Sequence, residues 1–142
     1  MRIRGTMVLW PMRETERPTG FSDPRHQLGF DGEEAALAWF EGEGWLIEAH
    51  RFKAGRNDLD LVVRKGDVVA FVEVKTRHTA TYGAGREAIG WRKRQAIARV
   101  AEVWRLRYGR TGDLYRFDVV EVSPRSGGGP PRVVHIPDAW RL

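Results

Sequence analysis

Residues 57–77 read NDLDLVVRKGDVVAFVEVKTR, and this stretch decides the fold. Two runs rich in β-branched and apolar residues, Leu59 to Arg64 and Val68 to Thr76, flank Gly66-Asp67. That dipeptide is a two-residue turn signal between strands, so the segment reads as a β-hairpin. Closing the turn there sets Lys65 opposite Val68, Val63 opposite Ala70, Asp60 opposite Glu73 and Asp58 opposite Lys75. Side chains alternate with period 2, so Asp58, Asp60, Glu73 and Lys75 are expected on one face of the ribbon. Val69 and Phe71 precede Glu73 on that face, while Val68, Ala70, Val72 and Val74 line the other. Apolar residues on both faces indicate central strands covered on both sides.

Two carboxylates directly opposite each other destabilise an antiparallel pair. Asp60 against Glu73 therefore asks for a positive charge between them. A hard divalent cation such as Mg²⁺ fits, because it takes oxygen ligands at about 2.0–2.1 Å and often needs only one or two protein carboxylates. Lys75, one pleat beyond Glu73, is placed to hold or polarise a water beside that ion. The constellation points to metal-assisted hydrolysis. A solvated strand face with a plain Asp58–Lys75 salt bridge is the simpler alternative, but charges at the ends of doubly covered strands are costly without a purpose.

The rest of the composition narrows the class. At 142 residues with 42% hydrophobic content and six Trp, the chain is one folded domain with a genuine core. It has no Cys, which excludes disulfides, thiolate nucleophiles and Cys-based zinc sites. The four His (His26, His50, His78, His135) show no ligand spacing. A net charge of +5 and a pI near 10.1 favour a polyanionic partner, nucleic acid first. No run approaches membrane-spanning length, and Met7-Val8-Leu9-Trp10 stops at Pro11, too short for a signal peptide. The expectation is a cytoplasmic protein with no membrane partner.

Working outward, residues 1–27 lack periodicity and read as a flexible N-terminal extension, leaving residues 28–142 as the domain. Asp31 to Glu43 reads as a helix with Asp31 as N-cap and Glu34 completing a capping-box pattern. Its inward stripe is Ala36, Leu37 and Phe40, with Glu33 one turn before them. Glu33 is a candidate third acid, with compensation of the helix dipole as the other reading. Trp45 to Phe52 is the first strand, followed by a basic, Gly-containing turn from Lys53 to Asn57.

Downstream, the polar stretch Arg77 to Gly85 leaves the proposed site and reads either as a loop placed to grip substrate or as a plain connection. Glu87 to Tyr108 is the longest helix, with Ile89, Ala96, Ile97, Val100, Ala101 and Trp104 as its core stripe. Lys93 falls on that stripe, so it either snorkels to water or approaches the carboxylates. Arg92, Arg94, Arg99, Arg105 and Arg107 make the remaining surface basic, a candidate phosphate-contacting face. Tyr115 to Val122 is another strand, where Arg116 and Asp118 share a face as a structural ion pair. Ser123 to Pro131 is a flexible loop, and Val133 to Ile136 a short edge strand.

The order helix, three strands, helix, strand resembles the YraN-like proteins, a bacterial family assigned to the restriction-endonuclease-like, PD-(D/E)XK nuclease superfamily. The resemblance runs from about Leu28 to Trp140. It rests on Gly32-Glu33 with Ala36, on Asp60-Leu61, on Phe71-Val72-Glu73-Val74-Lys75-Thr76-Arg77, on Lys93 and on Arg116-Phe117-Asp118-Val119-Val120. It implies an α/β restriction-endonuclease-like core (αβββαβ), a mixed central sheet flanked by helices. Asp60, Glu73 and Lys75 match the superfamily's catalytic acid, acid and lysine, and Glu33 matches the helix glutamate of its resolvase-like members. The implied activity is a nuclease dependent on Mg²⁺ or Mn²⁺, the metal held by Asp60 and Glu73 with Glu33 assisting. Lys93, Arg77, Arg92, Arg94 and Arg99 are the nucleic-acid-binding candidates. DNA stands ahead of RNA, branched DNA by analogy to resolvases, and a homodimer is compatible. The departure is Asn57-Asp58, where the family usually has Gly and Glu. Two other readings stay open: a nucleic-acid-binding protein of this fold without catalysis, and an adaptor whose basic helix binds an acidic protein.

Overall fold

The computed structural model describes residues 31–77 and 89–142. The N-terminal extension and most of the stretch from Arg77 to Gly85 lie outside the described residues. The order is α1 (Gly32–Gly42), β1 (Leu46–Ala54), β2 (Asn57–Lys65), β3 (Val68–Thr76), α2 (Trp91–Tyr108), β4 (Leu114–Ser123) and β5 (Arg132–Trp140). The five strands form one mixed sheet in the order β1-β2-β3-β4-β5. β1, β2 and β3 form an antiparallel meander, β4 runs parallel to β3, and β5 returns antiparallel. A parallel neighbour needs a crossover connection, and α2 lies within it.

The hairpin turn closes where the sequence places it, with Lys65 paired to Val68. Gly66 has φ +61 while Asp67 does not adopt a positive φ, the pattern of a type II′ turn with Gly at its first central position. Asp31 caps α1 as expected, accepting from the Glu33 and Glu34 N–H groups at 3.0 and 3.3 Å. α2 begins at Trp91, with Gly90 as N-cap. Ile89 is buried as expected, but it sits ahead of the helix rather than in its first turn.

The sheet separates two apolar layers. On one face Ala36, Leu37 and Phe40 of α1 pack on Leu61, Val63, Ala70, Val72, Val120 and Val122. On the other, Ile97, Val100, Ala101 and Trp104 of α2 pack on Val62, Val69, Phe71 and Val119. This is the covered-on-both-sides arrangement that the hydrophobic runs require. The result is an α/β restriction-endonuclease-like core with β5 added at its edge.

β5 is longer than the short edge strand expected from Val133 to Ile136, because a bulge opposite Asp118 lets pairing resume at Phe117–Trp140. Pro137 is tolerated there because an edge strand has one side without ladder bonds. Asp138, with φ +50, donates its N–H to Asp118 Oδ1 at 2.9 Å. Asp118 is fully buried and also accepts from Arg116 Nε at 2.9 Å, with His135 Nε2 at 2.7 Å. The structural ion pair expected from Arg116 and Asp118 is present, and it anchors the bulge.

Candidate active site

The expected register holds from Lys65–Val68 to Leu61–Val72 and stops there. Asp60 and Glu73 do not continue the ladder, and Asp58 is paired with Lys53 of β1 rather than facing Lys75. β1 changes direction at the same level. Arg51 has φ +58, a left-handed conformation that a long side chain adopts only under constraint. The β1–β2 pairing passes from His50–Leu61 to Phe52–Leu59, and the intervening Arg51 and Asp60 drop out of it. The kink resets the side-chain alternation, since Ala49 and Phe52 both pack on the α2 side. β3 pairs with β4 along its whole length, which places Glu73 beside Val119 and Lys75 beside Glu121.

Released from the ladder, Asp60 turns its carboxylate across the gap and accepts the Val74 N–H at 2.8 Å. That bond ties the ends of β2 and β3 together where ladder bonds have ended. Burial first, and then the charge of Glu73, push the Asp60 carboxyl up to about 8. The Val74 N–H opposes the shift, while Glu33 and Asp58 add to it. Asp60 therefore sits among three other carboxylates with too little positive charge nearby.

Glu33 arrives from the first turn of α1. Gly32 fixes that approach, because a Cβ at this position would collide with Thr76 Oγ1 at the end of β3. Only a residue without a side chain lets α1 come this close. The Glu33 carboxylate lies 2.8 Å from His50 Nε2 and accepts from Arg51 Nε at 2.9 Å. Burial would raise this carboxyl, but the bonds to His50 and Arg51 outweigh it and hold it below the usual range. Among the described residues no three His, Cys, Asp or Glu side chains gather into a group able to hold a metal. Glu33 is close enough to act on Asp60 electrostatically, and its Oε1 is engaged by His50 and Arg51.

Lys93, on α2, sets its Nζ 3.4 Å from Glu73 Oε2 while its side chain stays about half exposed, so it both reaches water and approaches the carboxylates. The other basic candidates divide by environment. Arg92 and Arg99 are exposed. Arg94 is half-buried, donates from Nε to Ile89 O at 2.8 Å and lies over the Trp140 ring at 5.7 Å, so much of its bonding is internal. Arg77 extends the β3–β4 pairing, donating its N–H to Val122 O at 2.8 Å.

Glu121 was missed in the sequence. By the pleat of β4 it shares the α2 face with Val119, next to Lys75, and it is 7% exposed. Its Oε2 lies 3.9 Å from Arg77 Nε, and neither atom has a hydrogen-bond partner. The signal was available, a Glu between Val120 and Val122 in a buried run, but its meaning depends on the parallel β3–β4 register. A second missed cluster stands at the other end of β2. Arg64 donates to Glu48 Oε2 at 3.0 Å and to both Asp113 oxygens at 2.7 and 2.9 Å, with all three residues buried or nearly so.

Asp60 and Glu73, with Lys93 on Glu73, thus meet where β2 and β3 part; Lys75 follows two residues after Glu73 on β3, and Glu33 acts on Asp60 from α1. No helix among the described residues is long and apolar enough to cross a membrane. The sequence pattern of the Uncharacterised protein family UPF0102 matches residues 32–122, from the start of α1 through nearly all of β4. A UPF0102 protein of Anaeromyxobacter dehalogenans is 38% identical over 121 residues, covering 85% of this chain and 89% of the relative. One from Erythrobacter litoralis is 40% identical over 113 residues, covering 80% and 91%. One from Pelotomaculum thermopropionicum is 37% identical over 119 residues, covering 84% and 99%. With its core matched from end to end, the chain belongs to the UPF0102 family, the YraN-like proteins.

Proposed function

We propose that the protein is a divalent-metal-dependent nuclease that hydrolyses phosphodiester bonds, with structured or branched DNA as its substrate class. The observation that carries this reading is Asp60. A carboxylate pushed up to about 8 by burial and by Glu73 is a site short of positive charge, and a Mg²⁺ or Mn²⁺ ion supplies it. Asp60 and Glu73 fit as the protein ligands, since a hard cation keeps several waters and needs few carboxylates. Glu33 assists from outside by holding His50 and Arg51 in place. The bound ion supplies Lewis-acid polarisation of a phosphoryl oxygen and a more acidic water.

The chain's own residues do the rest. Lys75, on the strand that bears Glu73, orients the attacking water and stabilises charge as it develops on the phosphoryl oxygens. Lys93 leaves Glu73 for a phosphate oxygen when substrate enters. The exposed Arg92 and Arg99 hold the flanking backbone without reading sequence.

The test is a cleavage assay on duplex, single-stranded, flapped and four-way-junction substrates, with Mg²⁺ or Mn²⁺ against EDTA. Metal-dependent cleavage is expected on at least one of them. Lys75→Ala should abolish most of that cleavage while changing DNA affinity little, because one lysine is a small part of a basic surface. A second reading is favoured by the Lys93–Glu73 contact, in which a protein cation already occupies one acid. It is a nucleic-acid-binding protein of this fold without catalysis, and it predicts salt-dependent binding with no cleavage in any metal.

A further inference from the structure

A pocket of about 250 Å³ opens between the β1–β2 turn and α2, lined by Arg56, Asn57, Asp58, Lys93, Ala96 and Ile97. Nothing in the nuclease reading requires it. Its lining is divided by chemistry. Arg56 and Lys93 are exposed cations, Asn57 and Asp58 offer a side-chain amide and a carboxylate, and Ala96 and Ile97 form an apolar floor.

The rim is held in place. Ala54 pairs with Asn57 across a two-residue turn, and Gly55 takes φ +64 at its first position. A turn that short fixes the tip relative to the sheet. The floor belongs to α2, whose Ile97 is buried in the core. Lys93 is the junction, because the same side chain that lines the pocket contacts Glu73 at 3.4 Å.

Three kinds of ligand can be weighed against this lining. A bare anion gains from Arg56 and Lys93 but meets the Asp58 carboxylate. An apolar ligand fits the floor but displaces water from the polar side chains around it without replacing those bonds, which is costly. A nucleotide uses all of it, with phosphate against the cations, a base or sugar edge that donates to Asp58, and a flat face on Ala96 and Ile97.

We propose that this pocket is the subsite for the nucleotide adjoining the scissile phosphate, a step that rests on the nuclease reading for its place in the reaction. Lys93 hands the chain of phosphates from the pocket to the acid pair. Arg56 fixes the next phosphate, and Asn57 and Asp58 select for an edge bearing hydrogen-bond donors.

The experiment titrates a single-stranded deoxytrinucleotide into ¹⁵N-labelled full-length protein in EDTA, so that no cleavage occurs, with inorganic phosphate as the parallel probe. The trinucleotide should shift the amides of Arg56 to Asp58 and Lys93 to Ile97, and phosphate at the same concentration should not reproduce that set. Ala96→Phe fills the pocket and should weaken trinucleotide binding at least tenfold. Arg56→Ala, at the exposed turn, should weaken it several-fold and serves if Ala96→Phe fails to fold. Glu41→Gln, exposed on α1 across the sheet, should leave binding at the pocket unchanged. Shifts centred elsewhere, shifts that phosphate reproduces, or binding indifferent to both pocket variants would overturn the subsite. The two ideas can fail separately. Trinucleotide binding in the pocket with no metal-dependent cleavage sinks the nuclease reading alone, whereas cleavage indifferent to Ala96→Phe and Arg56→Ala sinks the subsite alone.

Discussion

The two ends of β2 carry the same kinds of side chain and use them in opposite ways. At the Arg64 end, one guanidinium lies between two carboxylates and bonds to both, with Tyr115 Oη adding a bond to Asp113 at 3.1 Å. At the Asp60 end, two carboxylates crowd each other, and the contacts offsetting them are the Val74 N–H and the Lys93 ammonium. Both ends are buried or nearly so. The first is a satisfied network that serves folding. The second is left short of positive charge, as a site that must accept a ligand has to be.

The largest effect should come from breaking the satisfied end. Arg64→Met leaves Glu48 and Asp113 buried without their cation, and removing one partner of such a pair costs about 3–5 kcal/mol. The bond to Arg64 holds the Asp113 carboxyl down to about 2. That lowered carboxyl stabilises the fold fully above its unfolded value near 3.8, and the stabilisation is lost as pH falls toward about 2. Urea denaturation of wild type and Arg64→Met at pH 7 and pH 3 checks both statements. A loss below about 1 kcal/mol at pH 7 would erase the contrast between the two ends.

The opposite sign is expected at the other end. Asp60 has a folded value of about 8 against 3.8 unfolded. Between those values the folded chain keeps a proton that the unfolded chain has released, so this group's contribution to stability falls as pH rises through that window. Asp60→Asn keeps an oxygen for Val74 N–H and removes the charge. Its melting temperature should exceed that of wild type at pH 8, with the gap closing toward pH 4. The same variant, and Glu73→Gln, should lose the melting increase that Mn²⁺ or Mg²⁺ gives wild type. A variant less stable than wild type at every pH would mean that Asp60 is structural.

Position, as distinct from charge, is tested at Gly32. A methyl group there must displace Thr76 at the end of β3, and overpacking of this kind costs about 1–3 kcal/mol. Gly32→Ala should lower stability by about that amount and reduce metal affinity, since α1 carries Glu33 with it. Adding Thr76→Ala, which removes the clashing Oγ1, should recover part of both. Recovery of stability without recovery of metal affinity would separate α1 from the site.

The sequence made the satisfied end invisible and the unsatisfied end plain. That Asp60 and Glu73 lie near each other could be read because a hairpin turn brings their strands together within a short span, though the expected facing pair is absent from the ladder. Arg116–Asp118 was legible for the same reason, being two residues apart on one strand. Arg64–Asp113 spans the whole of β3 and α2, and no local pattern reports it. The Arg51 kink was equally hidden, because nothing in WLIEAHRF marks a left-handed residue, and strict alternation carried the register three pairs too far. Gly32 was quoted for resemblance, yet its reason, the close approach to Thr76, appears only when α1 meets β3.

The smallest expected effects lie on α2, where the same contrast recurs between two arginines five residues apart. Arg94 bonds to Ile89 O and covers Trp140, while Arg99 is exposed. Arg94→Ala should cost roughly 1–2 kcal/mol, the loss of a charge-assisted hydrogen bond and a cation–π contact. Arg99→Ala should leave stability within about 0.5 kcal/mol of wild type. In DNA binding the order reverses. Arg99→Ala, removing a cation free to meet phosphate, should weaken binding across all sequences and lower the salt slope by about 1. Arg94→Ala should change that slope less, because its guanidinium is already engaged within the fold. Binding measured at several salt concentrations decides the matter. Equal slopes for the two variants would mean that internal bonding does not separate structural from ligand-facing cations on this helix, and the contrast drawn at β2 would then hold for carboxylates alone.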